Sequence, residues 1–229
     1  MEGADPQTRA RMASARAAAE LVEPDVAIGL GSGRAVFAVI DLLSERSTAA
    51  SLKVAAASSR TEELAVRAGM EVVELDGELR LDLAIDGADE VDPQIGLIKG
   101  GGAALLREKL VIAAAERFVV VAEASKRVER LGATRSLPVE VVRYAWPDTR
   151  RRLLDLMPSA VIRMAGAEPV VTDEGHYLLD CELPPAGDLN TLASAIKGTL
   201  GVVEHGLFLG MAEQALLGRS DGEVEILSR

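Results

Sequence analysis

The sequence predicts an α/β fold: a Rossmann-like, mostly parallel sheet with helices on both faces, plus an inserted small domain. Two observations lead to this prediction. Over the first 131 residues, short and almost wholly apolar segments alternate with longer segments of helical periodicity. Strands that are apolar on both faces are typical of a parallel sheet buried between helices. After Gly132 the order of elements changes to β-α-β-β-α-β, the split-βαβ (ferredoxin-like) arrangement.

The elements of the first part follow one another regularly. Asp5-Pro6 is a helix start signal, because aspartate caps free N–H groups and proline fits the first helical turn; this alanine-rich helix extends to Val22. The other predicted helices of this part span residues 35–45, 61–68 and 103–116. The predicted strands span residues 26–30, 52–57, 71–75, 81–85 and 118–122.

The part after Gly132 has its own set of elements. Its predicted strands are 137–142, 160–163, 177–180 and one that begins at Val202, and its predicted helices are 147–157 and 188–200. We therefore expect residues 132–204 to form the small α+β domain. Residues 1–131 and 205–229 are expected to form the main catalytic domain, with the segment 206–229 rejoining the main sheet.

Composition limits the classes of protein that this chain can belong to. The net charge of −11 argues against a nucleic-acid-binding protein, which needs basic surface for the phosphate backbone. The single cysteine, Cys181, cannot form an intrachain disulfide, which is compatible with a reducing compartment. We find neither a signal-peptide pattern nor an apolar run of about 18 residues. These features predict a cytoplasmic protein that binds neither nucleic acid nor membrane.

The sequence offers little support for a metal site. His176 and His205 are far apart in sequence and neither has a clear second ligand nearby, so a zinc site is not expected. The segment DGADEVDPQIGL has acidic residues but lacks the register of an EF-hand calcium loop. A magnesium ion held by two carboxylates and a phosphate stays open on spacing alone.

The stretch GLGSGRAV, at residues 29–36, follows a predicted strand and opens a predicted helix. Free N–H groups and the helix dipole at such a position attract anions. The spacing fails the dinucleotide pattern G-x-G-x-x-G, because Arg34 or Val36 stands where the last glycine belongs. A single phosphate, with Arg34 as its cation, is the better interpretation; a plain strand-to-helix turn is the alternative.

The stretch DLAIDGADEVDPQIGLIKGGG, at residues 82–102, crowds four carboxylates behind an apolar strand. Asp86 and Asp89 follow the carboxyl end of that strand, where ligands bind in open parallel sheets. They flank Gly87 and Ala88, which let a ligand approach the backbone. We interpret the two aspartates as proton-handling groups. Glu90 and Asp92 are expected to be turn residues, with Glu90 solvated.

A cation and a further carboxylate complete the pattern. Lys99 is placed to stabilise a developing oxyanion or to hold phosphate. The glycines at 100–102 let backbone N–H groups reach a ligand at the start of the next helix. Glu108, on that helix, has apolar neighbours at three- and four-residue spacing. If it faces inward, burial raises its pKa and suits it to be a general base; an exposed surface glutamate is the alternative.

These motifs together resemble one family, type A ribose-5-phosphate isomerase. The matching segments run in order along nearly the whole chain: LGSG at 30–33, DLAIDGADEVD at 82–92, LIKGGGAALLREKL at 97–110, AEASKRVERLG at 122–132, LPVEVV at 137–142, VVTDEG at 170–175 and GVVEHGLF at 201–208. The resemblance implies interconversion of ribose 5-phosphate and ribulose 5-phosphate through an enediolate, without a metal or an organic cofactor.

The resemblance also implies roles for individual residues. Glu108 matches the base, Asp86 the acid that assists ring opening, Asp89 the second aspartate, and Lys99 the lysine that stabilises the oxyanion. The substrate-binding and phosphate-binding positions that match are Ser32, Gly33, Arg34, Ala35, Gly87, Ala88, Gly100, Gly101, Gly102 and Lys126, with Arg11 at a weakly matched basic position. The small domain is expected to contact another subunit, in a homodimer or homotetramer.

One departure from the family pattern stands in the phosphate loop. The family usually has Ser-Thr where this chain has Arg34-Ala35, so two hydroxyl groups are replaced by a charged donor and a methyl group. Two other functions stay open on the residues alone. They are a sugar-phosphate sensor that does not turn its ligand over, and a magnesium-dependent phosphoryl-transfer enzyme that uses Asp86 and Asp89.

Overall fold

The computed structural model describes residues 5–229, so the first four residues of the predicted main domain lie outside it. The helices are α1 (Pro6–Glu20), α2 (Arg34–Ser44), α3 (Ser59–Arg67), α4 (Leu105–Ala113), α5 (Trp146–Leu153) and α6 (Leu189–Lys197). The strands are β1 (Ala27–Leu30), β2 (Lys53–Ala56), β3 (Glu71–Val72), β4 (Leu83–Asp86), β5 (Glu90–Val91), β6 (Leu97–Ile98), β7 (Phe118–Glu123), β8 (Leu137–Val141), β9 (Ser159–Ile162), β10 (Met164–Ala165), β11 (Glu168–Pro169), β12 (Tyr177–Glu182), β13 (Val202–His205), β14 (Leu207–Phe208), β15 (Gln214–Gly218) and β16 (Val224–Ser228).

The largest sheet has seven strands in the order β16-β15-β7-β4-β1-β2-β3. The strands from β15 to β3 run parallel to one another, and β16 pairs with β15 in the antiparallel direction at the edge. The predicted α/β class and mostly parallel sheet are therefore confirmed, as is the return of the segment 206–229 to this sheet. β4 and β7 are buried along their whole length, as their apolar sequences predict.

Helices cover both faces of this sheet. On one face α1, α2 and α3 enclose the largest apolar cluster, which includes Leu30, Ile40 and Val121. On the other face α4 packs against the sheet through Val111, which belongs to a second cluster with Leu81. A Cβ atom on Gly29 would lie 2.5 Å from Val111 Cγ1, so glycine in β1 is what lets α4 approach the sheet.

A second sheet contains β13, β8, β12 and β9 in that order, with every neighbouring pair antiparallel. With α5 between β8 and β9, and α6 between β12 and β13, this is the predicted split-βαβ arrangement. It has its own apolar core around Val139, Leu153 and Ile196. The division of the chain into two domains at residues 132 and 204 stays a prediction.

The sequence did not predict two small pairings. β14, β6 and β5 form a three-stranded antiparallel sheet, and β10 and β11 form a short hairpin. Each of these strands is only two residues long, too short for an alternating pattern to be recognised. The first of the two sheets matters for function, because β5 and β6 carry the chain from Asp89 to Lys99.

Several elements are shorter in the structure than the sequence predicted. α4 begins at Leu105, not at residue 103, because Ala103 has a φ of 64° that no α-helix accommodates. It ends before residue 116, because the N–H of Glu116 donates to the Leu81 carbonyl oxygen instead. β3 covers only two of the five predicted residues; as the edge strand it has a partner, β2, on one side only.

Candidate active site

A cavity of about 430 Å³ opens at the carboxyl ends of the central strands. The loops that follow β1, β4 and β7 all reach it, because parallel strands bring their carboxyl ends to one edge of a sheet. The residues that line it are Ser32, Gly33, Arg34, Ala35, Gly87, Ala88, Asp89, Lys99, Gly100, Gly101, Gly102, Glu108, Val121, Glu123, Lys126 and Arg135. Nearly all the site residues expected from sequence are in this set.

Asp86 ends β4 and lies beneath the cavity, with 1% of its surface exposed. Its Oδ1 accepts hydrogen bonds from the backbone N–H groups of Ser32, at 3.2 Å, and Gly87, at 2.6 Å. A Cβ atom on Gly31 would lie 1.8 Å from Asp86 Cγ. Glycine at 31 is therefore required for the carboxyl group to fit, and the two predicted motifs pack directly against each other.

Lys99 is equally buried, and its ammonium group stands between two carboxyl groups. Nζ donates to the carbonyl oxygen of Gly87 at 2.7 Å and lies 2.9 Å from Asp86 Oδ2 and 3.2 Å from Glu108 Oε2. Burial lowers the pKa of Lys99, but the two carboxylates outweigh burial and raise it above its ordinary value. Lys99 is therefore a permanent cation in the wall of the cavity.

Glu108 projects from the first turn of α4 and is 4% exposed, so the interpretation as a surface residue is wrong. Burial, and next the charge of Asp86, raise its pKa to about 8, against the opposing effect of Lys99. Burial also raises the pKa of Asp86, although Lys99 and two backbone N–H groups oppose it. Asp86 and Glu108 are therefore both carboxyl groups whose neutral form is favoured by burial.

Asp89 and the glycine loop hold each other in place. Asp89 Oδ2 accepts a hydrogen bond from the Gly101 N–H at 2.7 Å, and a Cβ atom on Gly101 would lie 2.7 Å from Asp89 Oδ1. Gly100 has a φ of 108°, which favours glycine. The carboxylate of Asp89, which the sequence places near the sheet edge, thus also shapes the glycine loop that lines the cavity.

The second sheet, β13-β8-β12-β9, supports the glycine loop at residues 100–102 through a residue that sequence analysis missed. Arg163, which follows β9, donates from Nη1 to the carbonyl oxygens of Gly100, at 2.7 Å, and Gly101, at 3.3 Å. Asp180 fixes the guanidinium with two hydrogen bonds, of 3.0 Å to Nε and 2.5 Å to Nη2. An arginine at the end of a predicted strand carries no sequence signal for this contact.

The phosphate loop begins with a network of hydroxyl groups. Ser32 Oγ lies 3.0 Å from Ser58 Oγ, and Ser58 caps α3. Thr61 Oγ1 lies 2.9 Å from Ser58 Oγ and donates to the Gly31 carbonyl oxygen at 2.6 Å. Arg34 is the first residue of α2 and lines the cavity, next to the N–H groups that a helix leaves without intrahelical partners at its start.

Arg11 is the predicted binding residue that the structure does not bring into the cavity lining. Its guanidinium pairs with Glu123 at 2.9 Å, and both side chains are largely buried. Glu123 does line the cavity, and sequence analysis overlooked it although it directly ends β7. Its place at a strand carboxyl end was the available signal. Arg11 therefore reaches the site only through Glu123.

The expectation that Glu90 is a solvated turn residue is wrong. Glu90 begins β5 and has no exposed surface. Its two carboxyl oxygens accept hydrogen bonds from Gly132, Thr134 and Arg135, because the chain returns over β5 after leaving β7. Asp92 behaves as expected for a turn residue, accepting from the N–H groups of Gln94 and Gly96.

Residues 5–229 contain no group of three or more His, Cys, Asp or Glu side chains arranged to hold a metal ion. Nor does this range include a helix with the length and apolar character needed to cross a bilayer.

Comparisons with known proteins place this geometry in a family. Residues 53–222 match the model of the family described as ribose 5-phosphate isomerase A (phosphoriboisomerase A). Ribose-5-phosphate isomerase A of a Synechococcus species is 44% identical over 216 residues, covering 93% of this chain and 94% of that protein. The protein of the same name from Roseiflexus castenholzii is 47% identical over 221 residues, covering 94% of each chain.

The fold has close counterparts among solved structures. Ribose 5-phosphate isomerase A from Methanocaldococcus jannaschii superposes with a TM-score of 0.91 at 33% sequence identity. The superposition covers 97% of this chain and all of that one (100%). The similarity therefore includes both sheets.

Proposed function

Because the chain belongs to the ribose 5-phosphate isomerase A family and is an aldose–ketose isomerase, we propose that it interconverts D-ribose 5-phosphate and D-ribulose 5-phosphate through an enediolate. Glu108 is the general base of this proposal. The observation that carries it is the position of Glu108: buried, in the cavity wall, with Lys99 Nζ at 3.2 Å and a pKa near 8. A carboxylate with such a pKa is a stronger base than a solvated one.

The charges of the cavity support one orientation of the sugar phosphate. Arg34 and Lys126 supply cations for the phosphate group, together with the N–H groups at the start of α2. Lys99, Glu108 and Asp89 also line the cavity and are assigned to the carbon atoms and hydroxyl groups of the sugar. Arg34 replaces, as a charged donor, the hydroxyl groups that the family usually has at this point.

The furanose ring opens first. A proton leaves the C1 hydroxyl group, the bond from C1 to the ring oxygen breaks, and the ring oxygen takes up a proton. Asp86 assists this step from beneath Lys99, and Asp89 exchanges protons with hydroxyl groups from the cavity wall. The open-chain aldehyde is then held with C2 near Glu108.

The isomerisation is a proton transfer from C2 to C1. Glu108 removes the C2 proton, the electron pair forms the C1–C2 double bond, and O1 becomes an oxyanion. Lys99 stabilises that oxyanion, since its fixed ammonium group needs no reorganisation during the step. Glu108 then returns the proton to C1 while the O2 hydroxyl proton moves to O1, which leaves a ketone at C2.

The test is an isomerase assay on the purified chain with Glu108→Gln. We expect wild-type protein to equilibrate the two pentose phosphates in the presence of EDTA. Glu108→Gln should lower kcat by about 10²- to 10⁴-fold, the usual contribution of a general base. The matched control is Glu116→Gln, which neutralises an exposed carboxylate just beyond α4 and should leave kcat unchanged. Full activity of the Glu108 variant, or strict dependence on metal, would refute the mechanism.

We also propose that residues 132–204 form a separate domain that contacts another subunit. Exposed apolar side chains in this part of the chain support the proposal, among them Tyr144, Val161, Met164 and Leu200. Light scattering after size-exclusion chromatography tests it. A dimer or tetramer that Val161→Asp and Met164→Asp convert to monomer is expected, and a monomeric wild-type chain would contradict it.

A further inference from the structure

The cavity has three cationic side chains without a carboxylate partner. Arg34, Lys126 and Arg135 all line it, and within residues 5–229 none of them forms a salt bridge. The charge of the lining carboxylate Glu123, in contrast, is already matched by Arg11. Unpaired cations that converge on one cavity favour a dianionic group such as a phosphate monoester. The roles of Arg34 and Lys126 follow from the proposed function, but no role has yet been assigned to Arg135.

Arg135 belongs to a turn that is unusually well fixed. Glu90 Oε2 accepts from the Gly132 N–H at 2.6 Å. Glu90 Oε1 accepts from the N–H of Thr134 at 2.5 Å, from the Thr134 hydroxyl group at 2.7 Å, and from the N–H of Arg135 itself at 2.8 Å. The carboxylate is completely buried, so water does not compete for these donors. The backbone of Arg135 is therefore held while its side chain stays exposed at the cavity.

The same carboxylate connects this turn to the catalytic loop. Glu90 directly follows Asp89, and Val91 accepts a hydrogen bond from the Val128 N–H at 2.9 Å, upstream of the turn. Glu90, the first residue of β5, thereby holds the turn at residues 132–135 close to its chain neighbour Asp89. A flexible loop would have to lose conformational entropy when it bound an anion, whereas this turn is ordered beforehand.

From these contacts we infer that Arg135 binds the phosphate group of the substrate and that Glu90 is its positioning residue. The inference rests on the proposed function for the identity of the ligand. The preference for phosphorylated over free sugars then depends partly on Arg135, which lies outside the GLGSGRAV loop. It also gives the buried glutamate of the DGADE segment a role distinct from proton transfer.

The first experiment measures phosphate binding without turnover. Inorganic phosphate is titrated into wild-type protein and into Arg135→Ala, Arg135→Lys and Arg80→Ala by calorimetry. Arg80 is the matched control, because it is exposed, has the same charge and precedes β4 at the opposite edge of the sheet. We expect Arg135→Ala to raise the Kd by roughly tenfold or more, as for loss of one charge-assisted hydrogen bond. Arg135→Lys should recover part of the affinity.

The second experiment separates binding from chemistry in the isomerase assay. Arg135→Ala should raise the KM for ribose 5-phosphate by a similar factor and leave kcat within about twofold. Glu90→Gln should also raise KM. If Glu90 acts through Arg135, the double variant should have the KM of Arg135→Ala alone, a non-additivity that general destabilisation would not produce.

The outcomes distinguish this inference from the function it rests on. An unchanged Kd and KM in Arg135→Ala would overturn it, and so would equal effects of Arg80→Ala and Arg135→Ala. A loss of kcat at constant KM in Arg135→Ala would also overturn it. A chain that binds phosphate through Arg135 but does not isomerise ribose 5-phosphate would refute only the proposed function.

Discussion

Lys99 Nζ lies 3.2 Å from Glu108 Oε2, and both side chains are almost completely buried. Two opposing effects act on the pKa of Glu108 at this pair, which the proposed mechanism uses. Burial disfavours the charged form of Glu108, whereas Lys99 favours it. Asp86 lies 2.9 Å from Lys99 Nζ, and its charge raises the pKa of Glu108 further. Glu108 is thus a buried carboxyl group of the cavity wall with a pKa of about 8.

The first prediction concerns the pH dependence of activity. In the proposed mechanism only the ionised form of Glu108 removes a proton, and its pKa is about 8. We expect kcat/KM to rise as pH increases through this range. In Glu108→Asp this rising part of the pH profile should be absent or displaced to another pH. Initial rates measured between about pH 6 and pH 9.5 would reveal the rise. A profile that is flat over this interval would contradict a base with a raised pKa.

The second prediction concerns stability and its dependence on pH. The folded-state pKa of Glu108 is raised above its ordinary value of 4.5, so ionisation opposes folding. The stability that the neutral carboxyl group of Glu108 allows is fully present below about pH 4.5, and it is lost as pH rises through 8. Glu108→Gln, which stays neutral, should therefore unfold at higher denaturant concentration than wild type at pH 9. Each pKa unit corresponds to about 1.4 kcal/mol, so a difference of a few kcal/mol is the upper bound.

Urea unfolding of both proteins at pH 5 and pH 9 tests this prediction. The advantage of the variant should grow between the two pH values. A variant that is less stable at pH 9 by the same amount as at pH 5 would mean that Glu108 contributes through packing alone.

The third prediction concerns Arg163. Because its guanidinium joins Asp180 to the carbonyl oxygens of Gly100 and Gly101, Arg163→Ala should let the glycine loop shift. We expect kcat/KM to fall about tenfold or more, in line with loss of charge-assisted hydrogen bonds. Arg163→Lys should not rescue it, since an ammonium group cannot bridge the same partners in a plane.

The control for this prediction is Arg151→Ala, which removes an exposed arginine of α5 that, within residues 5–229, forms its salt bridge with Asp148 on the same helix. Steady-state kinetics of the three variants make the comparison. Equal, small effects of Arg163→Ala and Arg151→Ala would show that activity does not depend on the contact between Arg163, beside the second sheet, and the glycine loop.

The fourth prediction concerns Gly31. A Cβ atom at this position would lie 1.8 Å from Asp86 Cγ, so Gly31→Ala should displace the carboxyl group from the backbone N–H groups it accepts from. Both the melting temperature and kcat should fall. Gly102→Ala is the comparison for melting temperature, because within residues 5–229 a Cβ atom there would meet no heavy atom within 4 Å apart from its chain neighbours, and its φ is not in the left-handed region. Similar melting temperatures for the two variants would contradict the packing argument.

Much of the site was predictable because its residues stand at recognisable places along the chain. Asp86 follows an apolar strand, and Lys99 precedes three glycines that open a helix. Strand ends and helix starts are local features, and parallel topology brings them to one edge. Glu108 was predictable only conditionally, since helical spacing supplies apolar neighbours but does not say which face of α4 is buried.

Residues whose partners lie far away in sequence were not predictable. Glu90 was expected in water, yet its hydrogen-bond donors are more than 40 positions downstream (|i−j| of 42 to 45). Arg163 reaches a loop 62 to 63 positions upstream. The short strands β5, β6 and β14 exist only because they pair with one another.

By itself, the sequence determined the class of fold, the order of elements and the groups that carry the chemistry. These depend on apolar periodicity, glycine conformation and the identity of charged residues, which are all local. Only the tertiary structure decided the protonation behaviour of those groups. The raised pKa of Glu108, the lasting charge of Lys99 and the burial of Glu90 arise from desolvation and from charges that β4, β6 and α4 bring together, and desolvation exists only once the chain has packed.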